Sequence, residues 1–290
     1  MGEGAATMIN WRVASRLGRI SNLPTVWSNV AAGAALSGQL PPPATLLLLL
    51  LALSLIYTAG MFLNDAFDRR IDAVERPERP IPSGQVSPLA VFASGFAMLG
   101  AGISLLACMG RASLIAGLLL AGCVLLYDLH HKRNAFSPLI MGLCRALVYI
   151  TSALAVTGGR LPPPVWLGAS VLLAYLIGLT YAAKHENQGR IQRLLPLLGL
   201  AAPLLCLPLG PPSWPLLICL GLFLLWVGRC VWLAMFRRQR DIRTAVGGLI
   251  AGISLSDALL MAAHDMPSWA LAGALAFLLT TQFQQRIAGT

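Results

Sequence analysis

The chain has 290 residues, of which 57% are hydrophobic and only 11% charged, against ~25% charged residues in soluble domains. With a mean hydropathy of +0.73, this composition excludes an ordinary soluble globular protein. The net charge of +10 raises nucleic acid as a partner, but no soluble fold is left between the apolar runs to present a basic patch, and nucleic-acid binding is excluded on that ground.

In chain order, apolar segments long enough to cross a bilayer core of ~30 Å as helices are expected at about Asn22–Gly38, Ala44–Leu63, Pro88–Met109, Ala112–Tyr127, Ser137–Thr157, Pro164–Ala183, Leu194–Leu209, Trp214–Phe236 and Ala245–Ala263. A tenth, Trp269–Phe283, is apolar but short, and reads as a span, an interfacial helix or a helix packed on the bundle. The fold class is therefore all-α, a polytopic membrane bundle of about nine transmembrane helices in a single domain over residues 1–290.

Arginines set the expected orientation. With a cytoplasmic N-terminus, the inside loops hold Arg12, Arg16 and Arg19, then Arg69, Arg70, Arg76 and Arg79, then Lys132 and Arg133, then Lys184, Arg190 and Arg193, and finally Arg237, Arg238, Arg240 and Arg243. The outside loops keep only Arg111 and Arg160, the asymmetry of the positive-inside rule. Residues 1–20 lack a long apolar stretch, so no cleavable signal peptide is expected. The six cysteines form no C-x-x-C pair and read as small buried hydrophobes.

Chemistry gathers in Asn64-Asp65-Ala66-Phe67-Asp68-Arg69-Arg70-Ile71-Asp72, directly after the apolar run Leu46–Leu63. On a helix Asp65, Asp68 and Asp72 fall at i, i+3 and i+7, one face. Acids at membrane depth are costly unless paired or ligating, and carboxylates at this spacing suit Mg²⁺, which takes one or two carboxylates plus substrate phosphates. The competing reading is a solvated acidic helix end balanced by neighbouring arginines. Five of the chain's eleven acids lie between Asp65 and Glu78, followed by Arg79-Pro80-Ile81-Pro82-Ser83-Gly84, whose prolines and glycine shape a loop. Guanidiniums beside carboxylates make sense around a polyanion and its metal, because Arg grips phosphate oxygens bidentately.

Two further loops emerge on the same side. Tyr127-Asp128-Leu129-His130-His131-Lys132-Arg133 ends the fourth span; its Lys–Arg pair is either a phosphate contact or an ordinary membrane anchor, and both histidines read as solvated. Tyr181 to Gln188 ends the sixth span and offers Lys184, Glu186 and Asn187.

The pattern N-D-x-x-D-x-x-x-D followed by R-P-x-x-S-G resembles the first signature of the UbiA-type intramembrane prenyltransferases, complete at Asn64, Asp65, Asp68, Asp72, Arg79, Pro80, Ser83 and Gly84. Tyr127 with Lys132-Arg133 is similar to that family's Y-x-x-x-K-R segment. The wording at Arg19–Val30 and Gly178–Ala183 is most like the EboC branch. The resemblance implies a helical bundle with a lipid-open cavity, Mg²⁺-assisted ionisation of a polyprenyl diphosphate, and attack by a small or lipidic acceptor. It assigns Mg²⁺ and diphosphate to Asn64, Asp65, Asp68 and Asp72, with Lys132 and Arg133 on the diphosphate. The chain departs from the second signature, D-x-x-x-D, where His185 and Gly189 stand and Glu186 is the acid nearby; Glu186, Asn187 and Lys184 are the candidate substitutes.

Inside the spans, Asn22 and Asn29 are seven apart and either face the cavity or hydrogen-bond between helices. Arg145 needs an anion, the acid row or a diphosphate, unless it snorkels. Asp257 reads first as a structural acid, and Gly248 with Gly252 as close helix packing. The reading that follows is a Mg²⁺-dependent prenyltransferase. Its competitors are a non-catalytic isoprenoid- or lipid-handling protein and, less well supported because the acids sit at one face, a transporter.

Overall fold

The computed structural model describes residues 9–132, 134–184, 195–207, 212–236 and 241–287, which form helices and connecting turns with no strand. The helices are α1 (Trp11–Leu17), α2 (Leu23–Leu36), α3 (Pro43–Glu75), α4 (Pro88–Cys108), α5 (Arg111–His130), α6 (Ser137–Thr157), α7 (Pro163–Lys184), α8 (Trp214–Met235), α9 (Ile242–Ala263) and α10 (Pro267–Arg286), with 3-10 segments at Ile20–Asn22 and Leu195–Cys206.

Seven of these, α3 to α9, are long and apolar enough to cross a membrane. The first expected span is shorter than expected: α2 has 14 residues, is preceded by a 3-10 turn and ends before Gly38 at φ 73°. The seventh is the 12-residue 3-10 segment Leu195–Cys206, where the interior Pro203 lacks a backbone donor and so breaks the α-helical ladder. The tenth is longer than expected, 20 residues in α10. One element was not anticipated, the short α1, capped by the Asn10 side chain accepting from Val13 N at 2.9 Å.

The second expected span ends at Leu63, yet α3 continues unbroken to Glu75. Nothing between Leu63 and Pro77 breaks a helix, and the three Arg and two Ala there favour one. The acid row therefore rides on a rigid helix.

Two apolar cores meet across the bundle. One joins α3, α4 and α5 with Val26, Val30 and Val148; the other joins α6 to α10. Of the seven spans α9 is the most buried, 83% of its apolar window, and α2 packs on α6, α9 and α10. The expected close packing at Gly248 and Gly252 is present: a Cβ at Gly252 would stand 2.5 Å from Tyr175 Oη, and one at Gly248 2.5 Å from Cys230 Sγ.

Polar residues join the helices at depth. Asp257 on α9 is fully buried and accepts from Ser28 Oγ at 2.5 Å, Asn29 Nδ2 at 2.8 Å and Tyr149 Oη at 2.6 Å. It ties α9 to α2 and α6, in keeping with the structural reading. Satisfying each donor is what makes such a buried acid tolerable.

Candidate active site

The face of α3 carrying Asn64, Asp65, Asp68 and Asp72 is buried, with each residue 1–6% exposed, while Arg70 and Ile71 point outward. A solvated acidic helix end does not describe this row. Arg69 turns away from it, over the Phe92 ring at 5.4 Å.

The loop after α3 folds back onto the row. Ile81 and Val86 are buried with Val13, Leu17, Phe62 and Val91, and the chain turns at Gly84, φ 74°, a backbone conformation glycine adopts freely. So anchored, the loop sets Arg79 Nη1 at 3.1 Å from Asp65 Oδ1 and 2.6 Å from Asp72 Oδ2. From the other side Arg19, in a left-handed backbone conformation (φ 43°), reaches Asn64 Oδ1 and Asp65 Oδ1, both at 3.4 Å. Burial alone would lower the basicity of Arg19. Asp65, helped by Tyr57, Tyr127 and Asp128, outweighs it, so its pKa lies above the ordinary arginine value.

The end of α5 completes the ring. Lys132 Nζ is 3.7 Å from both Asp68 Oδ2 and Glu75 Oε2. His131, expected to be solvated, instead stacks on Tyr127 at 4.9 Å between ring centroids and sets Nε2 3.2 Å from Asp68 Oδ2; the next-door His130 is exposed as expected. Asp128, for which the sequence suggested no role, is buried and accepts from Asn64 Nδ2 at 3.2 Å. Lys184, at the end of α7, donates to Asn134 O at 2.6 Å.

These groups border a cavity of about 340 Å³. Its polar end holds Arg19, Asn22, Asn64, Asp68, Arg76, Arg79, Asp128, His131, Lys132 and Lys184. Its remainder is mainly apolar, with side chains such as Val26, Leu53, Ile56, Leu120, Val148, Leu176, Val246 and Ile253. The C-terminal ends of α3, α5 and α7 and the described residues that follow α3 and α5 therefore converge on one cavity, as expected; the residues after Lys184 lie outside the described ones. Asp65 and Asp72 stand behind the lining, held by Arg79. Asn29 is a correction: it does not line the cavity but bridges Asp257 and Arg145 inside the bundle. Arg145 lines the cavity with its guanidinium 5.3 Å from the Tyr57 ring centroid, and it forms no ion pair with the acid row. Arg133, Glu186 and Asn187 lie outside the described residues.

The donor set suits a hard cation. Asp72 Oδ1 and Asp128 Oδ2 are buried with no hydrogen-bond partner, and the surrounding donors are carboxylate and amide oxygens. Among the described residues no group of three or more acidic, His or Cys side chains could hold a metal unaided. Mg²⁺ at this site would thus depend on phosphate oxygens and water for the rest of its shell, as its chemistry favours.

Fold and cavity define a multi-pass helical membrane protein with a cavity that is polar at one end and mainly apolar elsewhere. The chain belongs to the UbiA prenyltransferase family, whose model matches residues 23–253; that match is at the level of the family and does not resolve its branches. Among curated relatives, the digeranylgeranylglyceryl phosphate synthase of Metallosphaera sedula is 29% identical over 139 residues, 48% of each chain. The protoheme IX farnesyltransferase of Synechococcus elongatus is 31% identical over 208 residues, 62% of this chain and 65% of that one. The chain spans about half the length of the first of these and under two thirds of the second. A UbiA homologue from Archaeoglobus fulgidus, solved bound to DMAPP and Mg²⁺, has the same fold at a TM-score of 0.55 and 13% identity, covering 94% of this chain and 99% of that one.

Proposed function

We propose that this protein transfers a prenyl group from an isoprenoid diphosphate to an acceptor, with Mg²⁺ as cofactor. One observation carries the reading: buried carboxylates laced with guanidinium and ammonium groups form the polar end of an otherwise largely apolar cavity. An isoprenoid diphosphate has that division of chemistry, a polyanionic head on a hydrocarbon tail. Arg76, Arg79, Arg19 and Lys132 lie where they would grip phosphate oxygens, and Lys184 extends the same cationic rim. Asn64, Asp68 and Asp128 present oxygens to a cation between row and phosphate, with Asp65 and Asp72 behind them. Bound there, Mg²⁺ would neutralise charge building on the leaving diphosphate. The apolar walls would hold the tail and keep water from the allylic carbon.

The arginine-rich ends of the helices support an orientation with the polar end cytoplasmic. The acceptor is small or lipidic in this reading, and the membrane itself is a source of it.

The test is binding of geranylgeranyl diphosphate to the purified protein, with and without Mg²⁺. Binding should require the metal, and Asp68→Asn should weaken it roughly 10–100-fold, the scale for disturbing a metal's protein partners. Metal-independent binding, unchanged by the substitution, would remove the basis of the proposal. The non-catalytic alternative, favoured by His185 and Gly189 in place of paired acids, predicts that same binding with no release of pyrophosphate across acceptors.

A further inference from the structure

Arg145 poses a separate problem. It extends from α6 into the cavity, where Nη1 donates to Asn29 Oδ1 at 2.9 Å and the guanidinium lies 5.3 Å from the Tyr57 ring centroid. A guanidinium carries five N–H donors, and this is its single hydrogen bond among the described residues. No described carboxylate forms an ion pair with it, whereas Arg19, Arg79 and Lys132 each face at least one. The carboxylate next along the network, Asp257, already accepts from Ser28, Asn29 and Tyr149 and meets Arg145 only through the Asn29 amide.

Its position separates it from the acid row. Tyr57 precedes Asp65 by eight residues on the unbroken α3, about 12 Å along the axis at ~1.5 Å per residue. The ion-pair contacts of the acid row are Arg19, Arg79, His131 and Lys132 and do not include Arg145. The Tyr57 hydroxyl donates to Arg19 O at 3.5 Å, so competition with pyrophosphate decides whether the two positions bind anions separately. The surroundings at this depth are apolar, including Val26, Leu53, Ile56 and Val148. There a cation whose nearby carboxylate, Asp257, is reached only through an amide and is already held by three donors is costly, while the guanidinium fork matches carboxylate and phosphate alike.

We infer that Arg145 forms a second anion-binding position in the cavity, distinct from the acid row, which receives the carboxylate or phosphate of an amphiphilic acceptor. The inference rests on the proposed transferase reading for the word acceptor, but the binding position itself is tested apart from it. In this geometry the acceptor's anion lies deep, its apolar body lies against the walls, and its nucleophile is left toward the diphosphate end. Carboxylate and phosphate share the recognition chemistry, so the probes must tell them apart.

The experiment titrates the full chain in neutral detergent with octyl phosphate, octanoate and octanol by calorimetry, first without pyrophosphate and then with saturating Mg²⁺ and pyrophosphate. At least one anion should bind roughly tenfold or more tightly than octanol, the scale of one charge-assisted hydrogen bond. Which of the two binds names the head group. That binding should persist with Mg²⁺-pyrophosphate present. Arg145→Gln should bring it to the octanol level, and Arg145→Lys should restore part of it. Equal binding of all three probes, displacement of the anion by pyrophosphate, or a glutamine variant that binds like the parent would each overturn the inference. If the glutamine variant does not fold, the probe comparison and the competition in the parent still decide. Failure of pyrophosphate itself to bind the parent counts against the transferase reading, while the first titration is still read for Arg145.

Discussion

Arg79 Nη1 bridges Asp72, at 2.6 Å, and Asp65, at 3.1 Å, so a single guanidinium from a loop spans two carboxylates seven residues apart on α3. Asp72 is 1% exposed, and its charge depends on that partner. Removing one member of a buried pair costs about 3–5 kcal/mol because the other is left uncompensated. Arg79→Ala should therefore lower thermal stability by a comparable amount, and Arg79→Lys by less. A melting temperature for Arg79→Ala equal to that of the parent would show that the pair contributes nothing to the fold.

Asp257 makes a different claim on stability. Three donors from α2 and α6 converge on it, and a buried donor left without an acceptor costs about 1–3 kcal/mol. Asp257→Ala orphans the Asn29 and Tyr149 donors, Ser28 Oγ keeping Thr25 O at 3.1 Å, and should destabilise the bundle by at least about 2 kcal/mol; Asp257→Asn should cost less, since one oxygen acceptor is retained. Unfolding in graded detergent denaturant measures both.

Gly252 lets α9 approach Tyr175, whose hydroxyl donates to Leu249 O at 2.9 Å. A methyl group at Gly252 would stand 2.5 Å from that hydroxyl oxygen, too close for the two to coexist unshifted. Gly252→Ala should cost about 1–3 kcal/mol by overpacking, and Gly252→Ala with Tyr175→Phe should cost less than the sum of the two single changes, because the clash and the lost bond involve one oxygen.

Orientation can be checked at the far end of α3. Glu75 has a half-exposed side chain beyond the apolar part of that helix. A cysteine placed there should react with an impermeant maleimide only from the cytoplasmic side. Labelling from outside alone would invert the topology.

Long uninterrupted apolar runs were the most legible part of the sequence, and α3 to α9 appear where hydropathy puts them. Hydropathy says little about helix type, which is why Leu195–Cys206 was expected as an ordinary span. It says equally little about where a helix ends once polar residues begin, and α3 overran its expected limit for that reason. At the site, the acid row was legible because four buried polar residues share one helical face. Arg19 and His131 were not, since each owes its position to another element folding over it. Asp128 could have been found: it is an acid at the end of an apolar run, the same signal that marked Asp65. Asn29 was misassigned because sequence shows which face a residue shares but not whether that face meets a cavity or another helix.

The 3-10 coil of Leu195–Cys206 alters the reach of a short segment. Such a coil rises about 2.0 Å per residue, so its 12 residues extend about 24 Å, where an α-helix of equal length would extend about 18 Å. Winding more tightly stretches the chain. A stretch that fails a length test written for α-helices can thereby cover most of the ~30 Å thickness of a hydrocarbon layer.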